Sequence, residues 1–175
     1  DTLYEYEPLT GRRNAEGLDI NGNGSLDRGG IDQINESTFA INAYDSGSTW
    51  WNETRNYTYA TDNNSTQILT GVSWSRLNLG AGNLSESWVN DIYGNRTYSV
   101  VSIDRTNKKV TVTTDTPDSS INAVQIAYNG YSVQTTDTAG IVMKYGYDAL
   151  GHQTSSVDPR TGTTTTAYIA GTNLV

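Results

Sequence analysis

The residues best spaced for chemistry lie in one short stretch, Asp19-Ile20-Asn21-Gly22-Asn23-Gly24-Ser25-Leu26-Asp27. Oxygen-bearing side chains fall at its positions 1, 3, 5 and 9, and Gly24 at position 6 allows the sharp turn such a loop needs. Ser25, at position 7, offers its backbone carbonyl. This all-oxygen donor set suits Ca²⁺, with Asp19, Asn21, Asn23, Ser25 and Asp27 as ligands. A full twelve-residue loop would carry a bidentate Glu where this chain has Gly30, so that ligand is absent or comes from elsewhere, with Asp32 or water as candidates. Only Asp19 and Asp27 bring formal charge, and the expected affinity is weak, on the order of 10⁻⁴–10⁻³ M. The plainer alternative is an Asn/Gly-rich turn without an ion.

Other constellations are weaker. His152, the single histidine, has Asp148 and Asp158 near it in sequence, which could suggest acid–base work, but a surface histidine fits as well. Glu5/Glu7 and Asp115/Asp118 supply carboxylate pairs of the kind glycoside hydrolysis needs, yet nothing in the sequence places either pair in a shared cleft. Trp50, Trp51, Trp74 and Trp88 could form a sugar-stacking platform or pack between sheet layers. Asn-x-Ser/Thr triplets recur, for example at Asn52, Asn56, Asn64 and Asn95. They matter only if the producing cell glycosylates asparagine, and in a bacterial chain they read as composition. No catalytic residue is assigned, and the chain is expected not to be an enzyme.

Composition narrows the partners. The 175 residues carry a net charge of −8 and a pI near 4.4, which argues against nucleic acid and against an anionic membrane surface. The absence of cysteine excludes disulfides and zinc–thiolate sites. No apolar run is long enough to span a bilayer as a helix. The opening residues do not read as a signal peptide, so the chain is expected to be a mature piece or an excised segment.

The elements that must position these residues are strands. Thr, Asn, Ser, Gly and Tyr dominate, and no window carries apolar residues at helical spacing over three turns. Alternation at 110–113 and 98–103, and the run 121–128, read as strands. Trp50-Trp51 and Tyr57-Thr58-Tyr59 suggest more. Asn129-Gly130 is a type I′ hairpin signal, and 104–108, 148–151 and 158–162 read as turns.

Repetition organises the chain. Tyr-x-Tyr occurs at Tyr4/Tyr6, Tyr57/Tyr59 and Tyr145/Tyr147. A unit of Asp, Gly three or four residues on, then a returning Tyr recurs as Asp91…Gly94…Tyr98, Asp137…Gly140…Tyr145 and Asp158…Gly162…Tyr168. Asp can accept backbone N–H bonds two residues on, Gly takes the left-handed position, and Tyr buttresses the next strand. One hairpin cannot cover its own face, so neighbours must stack.

The stretch 137–168, and Tyr4 to Arg12, resemble the RHS/YD-repeat family of large secreted and surface proteins. The resemblance is good over 1–13 and 90–175 and weak between them. His152 stands where the family usually has Arg, and Glu7 replaces an Asp. The 19–27 loop resembles the short calcium loops of integrin-type propellers. The family resemblance implies hairpins coiled into a continuous spiralling sheet, which in full-length members closes as a shell, often around a toxin, or serves adhesion. This chain is too short to close a shell alone.

The expected fold is therefore all-β, with stacked hairpins in three stretches: 1–36 with the calcium loop, a Trp/Tyr-rich 37–90 and YD-like hairpins over 91–175. The expected role is structural: a calcium-stabilised wall, fibre or shell segment of an extracellular or cell-surface, bacterial protein. Its expected partners are further copies, through open sheet edges in filaments, or neighbouring repeats of a longer chain. A carbohydrate-binding module with glycan partners and a fragment of a toxin-encapsulating shell are the rival readings.

Overall fold

The computed structural model describes residues 1–44, 49–59, 63 and 65–169. They form an all-β fold without helices among the described residues. The strands are β1 (Thr2–Tyr6), β2 (Arg13–Leu18), β3 (Gln33–Tyr44), β4 (Thr49–Tyr59), β5 (Ile68–Arg76), β6 (Asn83–Asn90) and β7 (Arg96–Asp104). They continue as β8 (Lys109–Asp115), β9 (Ala123–Tyr128), β10 (Tyr131–Thr136), β11 (Val142–Tyr147), β12 (Gln153–Asp158) and β13 (Gly162–Thr165). Their order in the sheet is their order in the chain, so neighbouring strands are joined by hairpin connections. The middle stretch, 37–90, belongs to this same strand order.

The chain divides into two compact units: residues 1–78 with 88–96, and 79–87 with 97–175. In the first, β3 and β4 make a long ribbon with Ile34 opposite Tyr59 and Ala43 opposite Trp50. Its core is Ala15, Leu26 and Ile34, flanked by Leu3 and Tyr59. In the second, Val101 faces Val112 and Ile103 faces Val110 across β7–β8, so the alternation in sequence becomes cross-strand pairing.

Local chemistry sets the turns. Asn129 and Gly130 both have positive φ, 51° and 90°, as a type I′ turn requires. The run expected to start a strand at Ile121 starts at Ala123 instead. Ser119 Oγ accepts from Ile121 N (3.1 Å) and lies within donating reach of the Thr138 (2.8 Å) and Ile121 (2.9 Å) carbonyls, which takes Ile121 out of the ladder.

Candidate functional site

The 19–32 loop connects β2 to β3 and is organised by two buried carboxylates. Asp19 accepts from the backbone N–H groups of Gly22 (2.7 Å), Asn23 (3.2 Å) and Gly24 (2.9 Å). Gly22 and Gly24 sit at φ 71° and 79°, a conformation that side chains with a Cβ rarely adopt. Asn21 and Asn23 form successive Asx turns, accepting from Asn23 N (3.0 Å) and Ser25 N (2.8 Å). Asp32 braces the loop's two ends, accepting from Ile20 N and Asp27 N at 2.9 Å each. The N–H of Asp27, then that of Ile20, holds the Asp32 carboxyl below its ordinary range.

The sequence-derived ligands thus share one loop, though not in identical roles. Asn21, Asn23 and Asp27 are linked by side-chain hydrogen bonds, while Asp19 and Asp32 both accept from backbone N–H groups. Asn21 Nδ2 donates to Asp27 Oδ2 at 2.9 Å, and Asn23 Nδ2 donates to the same oxygen. The oxygen-only donor set suits a hard cation. Both asparagine amides present nitrogen, not oxygen, to Asp27, so holding a cation there requires those amides to turn. Among the described residues, no group of three or more His, Cys, Asp or Glu is placed to hold a metal ion.

What anchors the loop was not legible from spacing. Leu26 drops into the Ala15–Ile34 core. Arg28 reaches Glu5 on β1 (2.7 Å) and Glu36 on β3 (3.3 Å), and Tyr59 Oη donates to Glu36 at 2.8 Å. Bonding to Glu5, opposed in part by burial, raises the Arg28 pKa. Gly17 lies beneath, where an added Cβ would stand 2.7 Å from the Gln33 carbonyl and 2.9 Å from Leu26. Its signal in sequence was only a glycine inside a strand.

Most of the remaining candidates have partners within the fold. Glu5 pairs with Arg28, and Glu7 accepts from Thr10 in its own turn. His152 Nδ1 lies 2.9 Å from Asp148 Oδ2, and its ring stacks on Tyr168 at 4.7 Å. Trp51 and Trp74 each pack on Trp88, at 4.1 and 5.1 Å between centroids, whereas Trp50 is 46% exposed. Glu53, 3% exposed, pairs with Arg55 and accepts from Asn42.

The Asp-led turns are built alike. At Asp91, Asp137 and Asp148, Oδ1 accepts from the N–H groups two and four residues on, and the carbonyl accepts from the glycine three residues on. These glycines have φ of 81°, 78° and 87°. Comparison with family models, curated proteins and solved structures finds no match to the chain.

Proposed function

We propose that this chain is a structural segment of an extracellular or cell-surface protein of the RHS/YD-repeat kind. In this reading it builds a wall, fibre or shell and is stiffened by Ca²⁺ in the 19–32 loop. The strand order carries it: among the described residues, thirteen strands pair with their sequence neighbours, and β1 and β13 are the outermost of them. Such an order adds length by repetition, and an outer strand offers unpaired N–H and C=O groups to another chain. Asp19, Asn21, Asn23, Asp27 and the Ser25 carbonyl would hold the ion, with Asp32 bracing the loop around them. The ion's charge would offset the carboxylates and replace the amide–Asp27 bonds.

A calcium titration followed by thermal melting tests the ion, since a ligand bound only by the folded form must raise Tm. No rise at millimolar calcium would sink the calcium assignment. Sedimentation and electron microscopy at high protein concentration with calcium test association. Oligomers or filaments are expected, and monodisperse monomers alone would count against it.

A further inference from the structure

Eight of the thirteen asparagines in residues 1–100 begin an Asn-x-Ser/Thr triplet with no proline at x. Serine and threonine make up a fifth of that stretch, so chance would place about two or three such triplets there. Residues 101–175 are richer in Ser and Thr, yet none of their four asparagines begins one. Composition alone does not produce this asymmetry.

The β3–β4 register supplies a second, independent observation. Ser37 stands opposite Asn56, and Asn35 opposite Thr58, so the triplets at Asn35, Asn52 and Asn56 project their Asn and hydroxyl residues from a single face of the ribbon. The opposite face carries the buried Ile34, Trp51 and Glu53. Asn35 and Asn56 are exposed, and Asn52 is half-buried.

We propose that this face of β3–β4 is N-glycosylated at Asn35, Asn52 and Asn56. The proposal rests on the surface-protein reading, because the chain must meet a glycosylating enzyme on its way out of the cell. The donor is a lipid-phosphate-linked sugar. The Asn Nδ2 forms a bond to the anomeric carbon, the bond from that carbon to the phosphate oxygen breaks, the lipid phosphate leaves and Nδ2 gives up one proton. The Asn56 amide suits this, since its oxygen accepts from Ser37 Oγ (2.8 Å) and its nitrogen is not used in that bond. Asn23 and Asn95 serve as contrasts, because their amide nitrogens donate to Asp27 and to Asp91 (2.9 Å) inside tight turns.

The test is glycopeptide mass mapping of the protein purified from the cell that makes it. Sugar mass is expected on Asn35, Asn52 and Asn56, with Asn23 and Asn95 bare. The single variants N35Q, N52Q and N56Q should each lose one chain's mass. Protein recovered from the cell surface or medium with all three asparagines unmodified overturns this proposal and leaves the surface reading standing. Protein recovered only from the cytosol overturns both.

Discussion

The two units hold their strands by different means. In the first, Ala15, Leu26, Ile34, Trp51 and Val72 are buried, together with Asp19, Asp32, Thr49 and Glu53. In the second, no described residue is buried to that degree. Its strands rely on the ladder, on Asp-led turns and on partly covered rings: Tyr131 and Tyr147 lie 5.1 Å apart, and Tyr147 Oη donates to the Ser132 carbonyl at 2.8 Å. The first unit can cover apolar side chains because a long loop folds back and delivers Leu26 and Arg28. Among its described residues the second has shorter connections, which pin pairs of strands without delivering a buried side chain. A repeat unit can therefore be stabilised from its face or from its ends, and each mode fails differently.

The largest expected effect separates the two modes directly. Ile34 is the most deeply buried large side chain, so Ile34→Ala should cost about 2–4 kcal/mol in lost transfer energy and cavity formation. Val112 sits half-buried opposite Val101, and Val112→Ala should cost about 1 kcal/mol or less. Amide hydrogen exchange resolves each unit: Ile34→Ala should release β3 and β4, and Val112→Ala should release β8 and β9 only slightly. Equal losses would erase the distinction.

A smaller effect sharpens the account of the second unit. Gly151 and Gly162 both have positive φ, 87° and 95°, and any side chain there costs about 1 kcal/mol of backbone strain. Around Gly162 the space is open. At Gly151 an added Cβ would lie 2.7 Å from Tyr131 Cζ, overlapping the ring that packs at a tilt against Tyr147. Gly151→Ala should therefore cost about 1–3 kcal/mol more than Gly162→Ala in thermal melting. Matching values would mean that the Tyr131–Tyr147 pair shifts freely and contributes little.

The contrast also explains what could be read in advance. The turns were legible because Asp, Gly and Asn act on their own neighbours: Asp148 bonds residues 150 and 152, and Asn129-Gly130 sets its own φ values. The tight turning of 19–27 was legible for the same reason. Hidden from the sequence were the long-range links, above all Arg28 joining Glu5 and Glu36, residues 23 and 8 positions away. No local spacing marks such pairs. Tryptophan placement was open too, since adjacent Trp50 and Trp51 take opposite faces of β4, and only the register decides which face is covered.

The smallest effect is an acid response, and it should divide the units again. Asp104 is held below the ordinary carboxyl range by the Asn107 side chain and backbone, and Asp158 by Arg160. At Asp148, burial pushes the carboxyl up, but bonds from the His152 backbone and ring and from Leu150 N outweigh it, and the net shift is downward. A lowered folded-state pKa means the carboxylate stabilises the fold fully above its unfolded value, near 3.9, and that this stabilisation fades as pH falls through the folded value. Stability should thus be flat from neutrality to about pH 5 and then decline. The first unit shares the effect through Asp32 and Asp91, but its buried apolar core does not titrate. Exchange protection in β11 and β12 should therefore be lost at a higher pH than in β3 and β4. Asp148→Asn keeps an oxygen for both N–H bonds and removes the charge. It should lower Tm at pH 7 and flatten the decline around its own hairpin, bringing variant and parent together near pH 3. If the β11–β12 hairpin of the variant keeps the parent's full acid slope, the charge at position 148 is not what pins that turn.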